Sequence, residues 1–446
     1  MNKWPAIFRW NAFTLWNTRH ERRLPYWSGR RLEEVQDRRF REIVHFARRH
    51  VPFYRETIDS LGLSQSDLHR ARDLTKLPII DKTKVLQSPE RFSPPGMTGA
   101  NGLRLRSSGT SGRSSSIHYT PEALFLALAH GQRQRHVLEK FVGRSTGYRE
   151  TMLVRSNSVH EQIREYYESY SRVPKRVDLE RQFLIMDTSH LERQVSEINE
   201  FGPHVIRGYG SYLGAFFRQV LKRDLSLKAP KVVVYGADRM PTADRALIES
   251  EFGIAVVSTY QAVEALRIGY ECEYRRGFHL FMDDVAVRVV DDDGRDVEAG
   301  GRGHIVISNL TNRATVLLNY RLGDIVTLAG APCSCGRELP MIENIEGRSD
   351  DLIALPGGDP MHGLALMGRL QKVSGVVQLQ LLQETIDRFT ISAVAETDAD
   401  KQSLESVLVD TMRSTVGDVS VVLNWVDDLP RSPSGKVKAV VSRCTN

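Results

Sequence analysis

The stretch "KVVVYGADRMPTADRALIESEFGIAVVSTY", Lys231 to Tyr260, decides the fold class. It begins with "KVVVY" (Lys231–Tyr235) and closes with "IAVVSTY" (Ile254–Tyr260). Both are short β-branched runs, of the kind used by parallel strands buried on two faces. Between them, "PTADRALIESEFG" has Pro near its start and Gly just past its end, the punctuation of a helix. Strand, helix and strand in that order predict a layered α/β domain.

Outward from this unit the pattern continues. "SYLGAFFRQVLKR" (Ser211–Arg223) and "PEALFLALAHGQRQRHVLEKF" (Pro121–Phe141) read as helices. Nearer the start, Leu32, Val35, Phe40, Ile43, Val44 and Ala47 fall at helical spacing, and "VPFYRETIDSLGL" (Val51–Leu63) opens a second helix. Pro78, Pro89, Pro94 and Pro95 then break the chain. Downstream, "VAVRVVDDDGRDV" (Val285–Val297), "GHIVISNL" (Gly303–Leu310) and "ATVLLNY" (Ala314–Tyr320) are short strands with glycine turns, predicting an antiparallel subdomain. After "GRSDD" (Gly347–Asp351) the chain reads as a small α+β domain, with a helix around Ala399–Met412 and a strand at "VSVVLNWV" (Val419–Val426). The expected division is residues 1–347, with a helical segment 1–95 and a strand-rich part near 270–345, then a small mobile domain 348–446.

The composition is that of a globular protein: 446 residues, 41% hydrophobic and 26% charged, enough apolar material to offset chain entropy. Net charge is +6, and Arg19, Arg22, Arg23, Arg30, Arg31, Arg38, Arg39, Arg41, Arg48 and Arg49 crowd one end. A basic amphipathic segment there suits anionic lipid or nucleic acid. A solvated helix face is the simpler reading, and no nucleic acid is expected. Four cysteines are too few for a disulfide framework at this length, which points to a reducing compartment. With no run of about 20 apolar residues and no signal-like start, a cytoplasmic protein without a transmembrane segment is expected.

"SSGTSGRSSS" (Ser107–Ser116) is dense in glycine and hydroxyls, which suit close approach to an anion. It lacks the Gly-Lys-Ser/Thr of a Walker loop. Read alone, such a run is more often a flexible linker. Read with five later stretches it resembles the phosphate loop of adenylate-forming enzymes. "YGAD" (Tyr235–Asp238) resembles their adenine-wall segment, and "YQAVE" (Tyr260–Glu264) their Tyr-Gly-x-Thr/Ser-Glu motif. "YRLGD" (Tyr320–Asp324) resembles their Gly-Asp motif, "GRSDD" their hinge, and "PRSPSGKVK" (Pro430–Lys438) the loop carrying their catalytic lysine. "HVPFYRE" and "DLTKLPIIDKTKV" resemble the phenylacetate–coenzyme A ligase branch in particular.

This resemblance implies an α/β adenylate-forming fold, with a large multi-subdomain N-terminal domain and a small α+β C-terminal one. It implies ATP-dependent activation of a carboxylic acid as acyl-AMP, then transfer to CoA or a carrier-protein thiol, with Mg²⁺ as cofactor. Ser108, Gly109, Thr110, Ser111, Gly112 and Arg113 would hold phosphates. Gly236, Ala237 and Asp238 would line the adenine pocket and Tyr260 would stack on the base. Asp324 would take the ribose hydroxyls, Arg348 would sit by ribose or phosphate, and Glu264 would bind Mg²⁺. Lys436 would neutralise the charge at the α-phosphate, and Asp350 would be the hinge. Four positions depart from the pattern: Gln261 replaces the usual Gly, Val263 the usual hydroxyl residue, Asp238 the usual Glu, and Arg113 the Lys of many relatives. The stretch from His204 to Tyr212 would border the acid pocket, which tolerates an aryl acid without requiring one.

Cys272, His279, Cys333 and Cys335 form a possible Cys₃His zinc set. Their spacing leaves open two unrelated pairs of reduced thiols; similar positions in relatives favour structural Zn²⁺. Other readings stay open: transfer to an amine, AMP transfer to a cofactor hydroxyl, or a non-catalytic basic binding protein. A homodimer is compatible with all of them.

Overall fold

The computed structural model describes residues 4–97, 102–106, 115–156, 158–170, 180–186, 190–348, 352–356, 358–396, 398–430 and 437–444. The expected phosphate-loop residues Ser108, Gly109, Thr110, Ser111, Gly112 and Arg113, the hinge Asp350 and Lys436 lie outside them.

Helices α1 (Trp4–Thr18), α2 (Gly29–His50), α3 (Pro52–Ser60) and α4 (Lys82–Gln87) come first. Strands β1 (Leu103–Arg106) and β2 (Ser116–Tyr119) form a small antiparallel sheet before α5 (Pro121–Val142). Alternation follows: β3 (Arg149–Val154), α6 (Val159–Tyr170), β4 (Glu180–Ile185), α7 (Leu191–Phe201), β5 (Val205–Tyr209), α8 (Gly210–Lys222), β6 (Val232–Gly236), α9 (Thr242–Glu251) and β7 (Ala255–Tyr260). Then come β8 (Gly269–Glu271), β9 (Phe278–Leu280), β10 (Val285–Val290), β11 (Arg302–Asn309), β12 (Tyr320–Leu328) and β13 (Met341–Arg348). The last part holds β14 (Leu352–Leu355), β15 (Gly358–His362), α10 (Gly363–Leu370), β16 (Val376–Thr385), β17 (Arg388–Ala395), α11 (Lys401–Val416), β18 (Ser420–Trp425) and β19 (Val440–Ser442).

The expected strand–helix–strand unit is β6–α9–β7, paired in parallel with Val232 opposite Ala255. Its strands are buried on both faces. Leu138, Tyr148, Val205, Val232, Val234 and Val257 pack on the α5 side, while Ile206, Val233, Val256 and residues of α7, α8 and α9 pack on the other. This two-sided burial explains the unbroken β-branched runs.

The strand-rich part is not a separate sheet. Strands β4, β3, β5, β6 and β7 run parallel, and β8, β9, β13, β12, β11 and β10 continue the same sheet in antiparallel fashion, eleven strands in all. The join is β7 to β8, where Tyr260 faces Gly269. A separate four-stranded sheet, β18-β17-β16-β19, carries its own core with α10 and α11.

The strand expected over Ala314–Tyr320 is a correction, because only Tyr320 enters β12. Ala314 to Asn319 are buried but irregular. The Val316 amide donates to the Phe92 carbonyl at 2.8 Å, and the Leu318 amide to the Tyr54 hydroxyl at 2.7 Å. The N-terminal helices satisfy this backbone, so no strand neighbour is needed. The helix expected at Ala399–Met412 runs from Lys401 to Val416, because the Asp400 side chain caps it and Gly417 ends it.

Candidate active site

Open α/β sheets bind ligands outside the carboxyl ends of their strands. Here β5, β6 and β7 end at Tyr209, Gly236 and Tyr260, side by side. Close packing shapes this edge. A Cβ on Gly236 would come within 2.5 Å of Thr259 Oγ1, and one on Gly210 within 2.6 Å of the Met240 amide. Ala237 then turns with φ 66°, a left-handed conformation that non-glycine residues seldom adopt. The next residue, Asp238, reaches across to α8. Its carboxylate accepts from the Ser211 amide at 3.2 Å and from the Ser211 hydroxyl. Tyr209, the N-cap residue of α8, has no side-chain cap of its own, so Asp238 serves the first turn in its place.

Strands β12 and β13 bring up the charges. Asp324 and Arg348 are cross-strand neighbours. Arg348 Nη1 lies 3.6 Å from Asp324 Oδ1, and Arg348 Nη2 donates to the Leu322 carbonyl at 3.3 Å. The Tyr260 hydroxyl donates to Asp324 Oδ2 at 2.6 Å. Burial, then the neighbouring carboxylate, push the Tyr260 pKa well up, so the phenol keeps its proton and remains a donor. The Tyr260 ring is mostly buried and edges against Phe278. Three positions chosen from three motifs, Tyr260, Asp324 and Arg348, thus form one connected group. Glu264 lies four residues beyond Tyr260 and is buried; burial pushes its carboxyl pKa up, with Arg348 and Lys82 pulling it back. A desolvated carboxylate is the setting in which a bound cation would restore the charge.

The two departures within "YQAVE" find partners. Gln261 Oε1 lies 3.3 Å from His160 Nε2 on α6, and the Val263 carbonyl accepts from the Tyr119 hydroxyl at 2.6 Å. Cys272, His279, Cys333 and Cys335 converge, with all ligand atoms within 4.8 Å of one another. Cys272 Sγ and Cys333 Sγ are 3.7 Å apart, and Cys335 Sγ is 3.3 Å from His279 Nε2.

One network escaped the sequence reading. Glu150 on β3, fully buried, accepts from Arg207 Nε at 2.9 Å and Arg181 Nε at 3.1 Å. Its one sequence signal was a charged residue inside an otherwise apolar strand, "VIRGY".

An adenylate-forming ligase fold is what these elements define. The chain aligns with the crystal structure of 2-hydroxyisobutyryl-CoA ligase in its postadenylation state at a TM-score of 0.74, with 17% identity, covering 94% of this chain and 90% of that one. By sequence it is 26% identical to the phenylacetate–coenzyme A ligase of Thermus thermophilus over 92% of this chain and 96% of that protein. It is also 20% identical to protein CapK of Staphylococcus aureus over 92% of this chain and 89% of that protein. Residues 358–443 match the CapK C-terminal domain.

Proposed function

We propose that this chain is an ATP-dependent, AMP-forming acid–thiol ligase that activates a small organic acid, aryl acids included, and passes the acyl group to CoA. The observation that carries the reading is the Tyr260–Asp324–Arg348 group beside buried Glu264. Tyr260 and Arg348 hold Asp324 from two sides, leaving a fixed carboxylate suited to two vicinal hydroxyls of a ribose. Arg348 supplies positive charge toward phosphate oxygens. Glu264 would hold Mg²⁺, whose charge offsets that of the phosphates when bound. Ser108 to Arg113 would close over the phosphates. Lys436 would come to the bond between the carboxylate and the α-phosphorus. The stretch His204–Tyr212 spans β5 and the start of α8, and their junction lies at the same edge, where the acid would sit.

Structural zinc belongs to the same proposal. A tetrahedral ion with Zn–S bonds of about 2.3 Å sets its sulfurs roughly 3.8 Å apart, and the Cys272–Cys333 separation is 3.7 Å. Four ligands leave no open coordination position, so the ion would brace the fold and take no part in the chemistry. The unpaired state of all four cysteines accords with a cytoplasmic protein.

The test is acid-dependent pyrophosphate exchange over aryl, hydroxyaryl, amino and fatty acids, followed by AMP release with CoA, carrier protein or amine as acceptor. Exchange with an organic acid and CoA-dependent AMP release are expected. No exchange with any acid would remove the ligase reading, and amine-dependent release would convert it to an amide synthetase. Elemental analysis of the same preparation should find about one zinc per chain.

A further inference from the structure

Helix α1 is apolar on two sides. Ile7 and Trp10 face inward, and the Trp10 ring stacks on Phe125 of α5 at 4.9 Å. The opposite stripe, Trp4, Phe8, Ala12, Leu15 and Trp16, is exposed. Phe8 (78%), Leu15 (72%), Trp4 (67%) and Trp16 (64%) are the four most exposed large apolar side chains among the described residues. A surface helix ordinarily turns polar residues outward. This one turns out three aromatic rings and a leucine, while the helix itself is fixed to the body by its inner stripe.

The segment's own exposed charge has one sign. From residue 4 to residue 32 the chain carries Arg9, Arg19, Arg22, Arg23, Arg30 and Arg31, all exposed, and a single acid, Glu21, which is buried. Glu122, Glu139 and Glu34 reach in to pair Arg9, Arg22 and Arg30. The Arg19 guanidinium lies 3.1 Å from the centre of the exposed Trp16 ring, and Arg31 lies over Trp27 at 3.6 Å. Exposed Trp and Phe beside arginines are the composition of helices that lie in a membrane interface. A second copy of the chain would bring a like-charged face against this one. A nucleic acid would meet the arginines and leave Phe8 and Leu15 in water. An anionic bilayer accepts both, with rings at the headgroup boundary and guanidiniums among the phosphates. A helix of 15 residues spans roughly 22 Å. No described helix is long and apolar enough to cross a membrane, so α1 would lie flat on it.

We propose that α1 and the arginines that follow it dock this protein peripherally on an anionic lipid surface through Trp4, Phe8, Leu15 and Trp16. The test is co-sedimentation of the full chain with phosphatidylglycerol and with phosphatidylcholine vesicles. Partition is expected to be roughly tenfold or more higher on the anionic vesicles, and to weaken as salt rises. The tryptophan emission should shift to shorter wavelength on binding. Phe8→Glu with Trp16→Glu should lower partition about tenfold or more. Pyrophosphate exchange, which α1 does not serve, should be unchanged in that variant and shows that it is folded. Arg19→Glu with Arg23→Glu should remove the preference for anionic lipid. Absence of binding to either vesicle, or equal binding by the apolar-face variant, overturns the proposal. So does a wild-type dimer in ultracentrifugation that the same variant makes monomeric without any vesicle binding, or salt-sensitive binding to nucleic acid in place of vesicles.

Discussion

Asp324 is held by three different causes. Its strand places it opposite Arg348, a tyrosine proton fixes one oxygen, and an arginine nitrogen approaches the other. Removing the carboxylate therefore removes the proposed ribose contact and leaves the Tyr260 proton without its acceptor. Asp324→Ala is expected to weaken ATP binding by roughly 2–3 kcal/mol, the scale of hydrogen bonds to a charged group, and to lower activity with it. Isothermal titration with ATP measures the effect, and wild-type affinity would displace Asp324 from the site. Tyr260→Phe, which keeps the ring and loses only the donor, should cost less. These positions were legible in the sequence because each sits in a motif of fixed order. The contact of Tyr260 with Asp324 was not legible, since the two residues stand 64 positions apart and nothing local links a phenol to a carboxylate. The partnership of Asp238 with Ser211 was hidden for the same reason.

At the scale of elements, periodicity revealed what was locally determined. The β6–α9–β7 unit and helices α5, α8 and α11 follow from apolar spacing, with side-chain caps at Thr120 and Asp400 for α5 and α11. Strands β3 and β4 were missed because "RETMLV" and "ERQFLI" mix charges into short runs, and partner strands decide their state. The charge that obscured β3 is Glu150, which binds β3, β4 and β5 together through Arg181 on β4 and Arg207 on β5. Burial alone would raise its pKa, yet the two guanidiniums bring it down to about 2 from an ordinary 4.5. A carboxyl whose folded pKa is depressed stabilises the fold fully above its unfolded pKa and loses that contribution as pH falls through the folded one. The contribution of Glu150 is thus complete above about pH 5 and lost toward pH 2, on the order of 3 kcal/mol. Glu150→Gln should flatten the fall in melting temperature across that window relative to wild type, while lowering stability at pH 7. Parallel acid titrations of the two proteins would reject this role for Glu150 if the curves differ only by a constant offset.

For the whole molecule, the order of the motifs poses a geometric problem. The proposed nucleotide groups, Gly236 through Arg348, belong to the eleven-stranded sheet, whereas Lys436 follows the β16–β18 sheet with its separate core. Between the two lies a cleft of about 340 Å³. Ser211, Arg239 and Thr242 line it on one side, and Gln371, Lys372 and Gln378 on the other. Its walls mix these polar groups with apolar ones, among them Pro241, Val376, Leu379 and Leu429. An exposed pair, Lys222 with Asp427 at 2.8 Å, links the two parts. An exposed ion pair contributes little to holding such parts together, and relative motion is the ordinary expectation between domains that meet across a small, mixed interface. We propose that the part after Arg348 rotates about Asp350, bringing Lys436 to the acyl-phosphate bond for the first half-reaction and withdrawing it to admit a thiol for the second. Proline at the hinge fixes φ near −65° and removes one donor. Asp350→Pro should therefore leave pyrophosphate exchange in place where the fixed angle suits the first arrangement. It should lower thioester formation roughly 100-fold, about 2.7 kcal/mol of barrier. Both rates are read from one preparation. Equal loss of the two would indicate misfolding or another hinge, and unchanged rates would mean that the chemistry proceeds without the rotation.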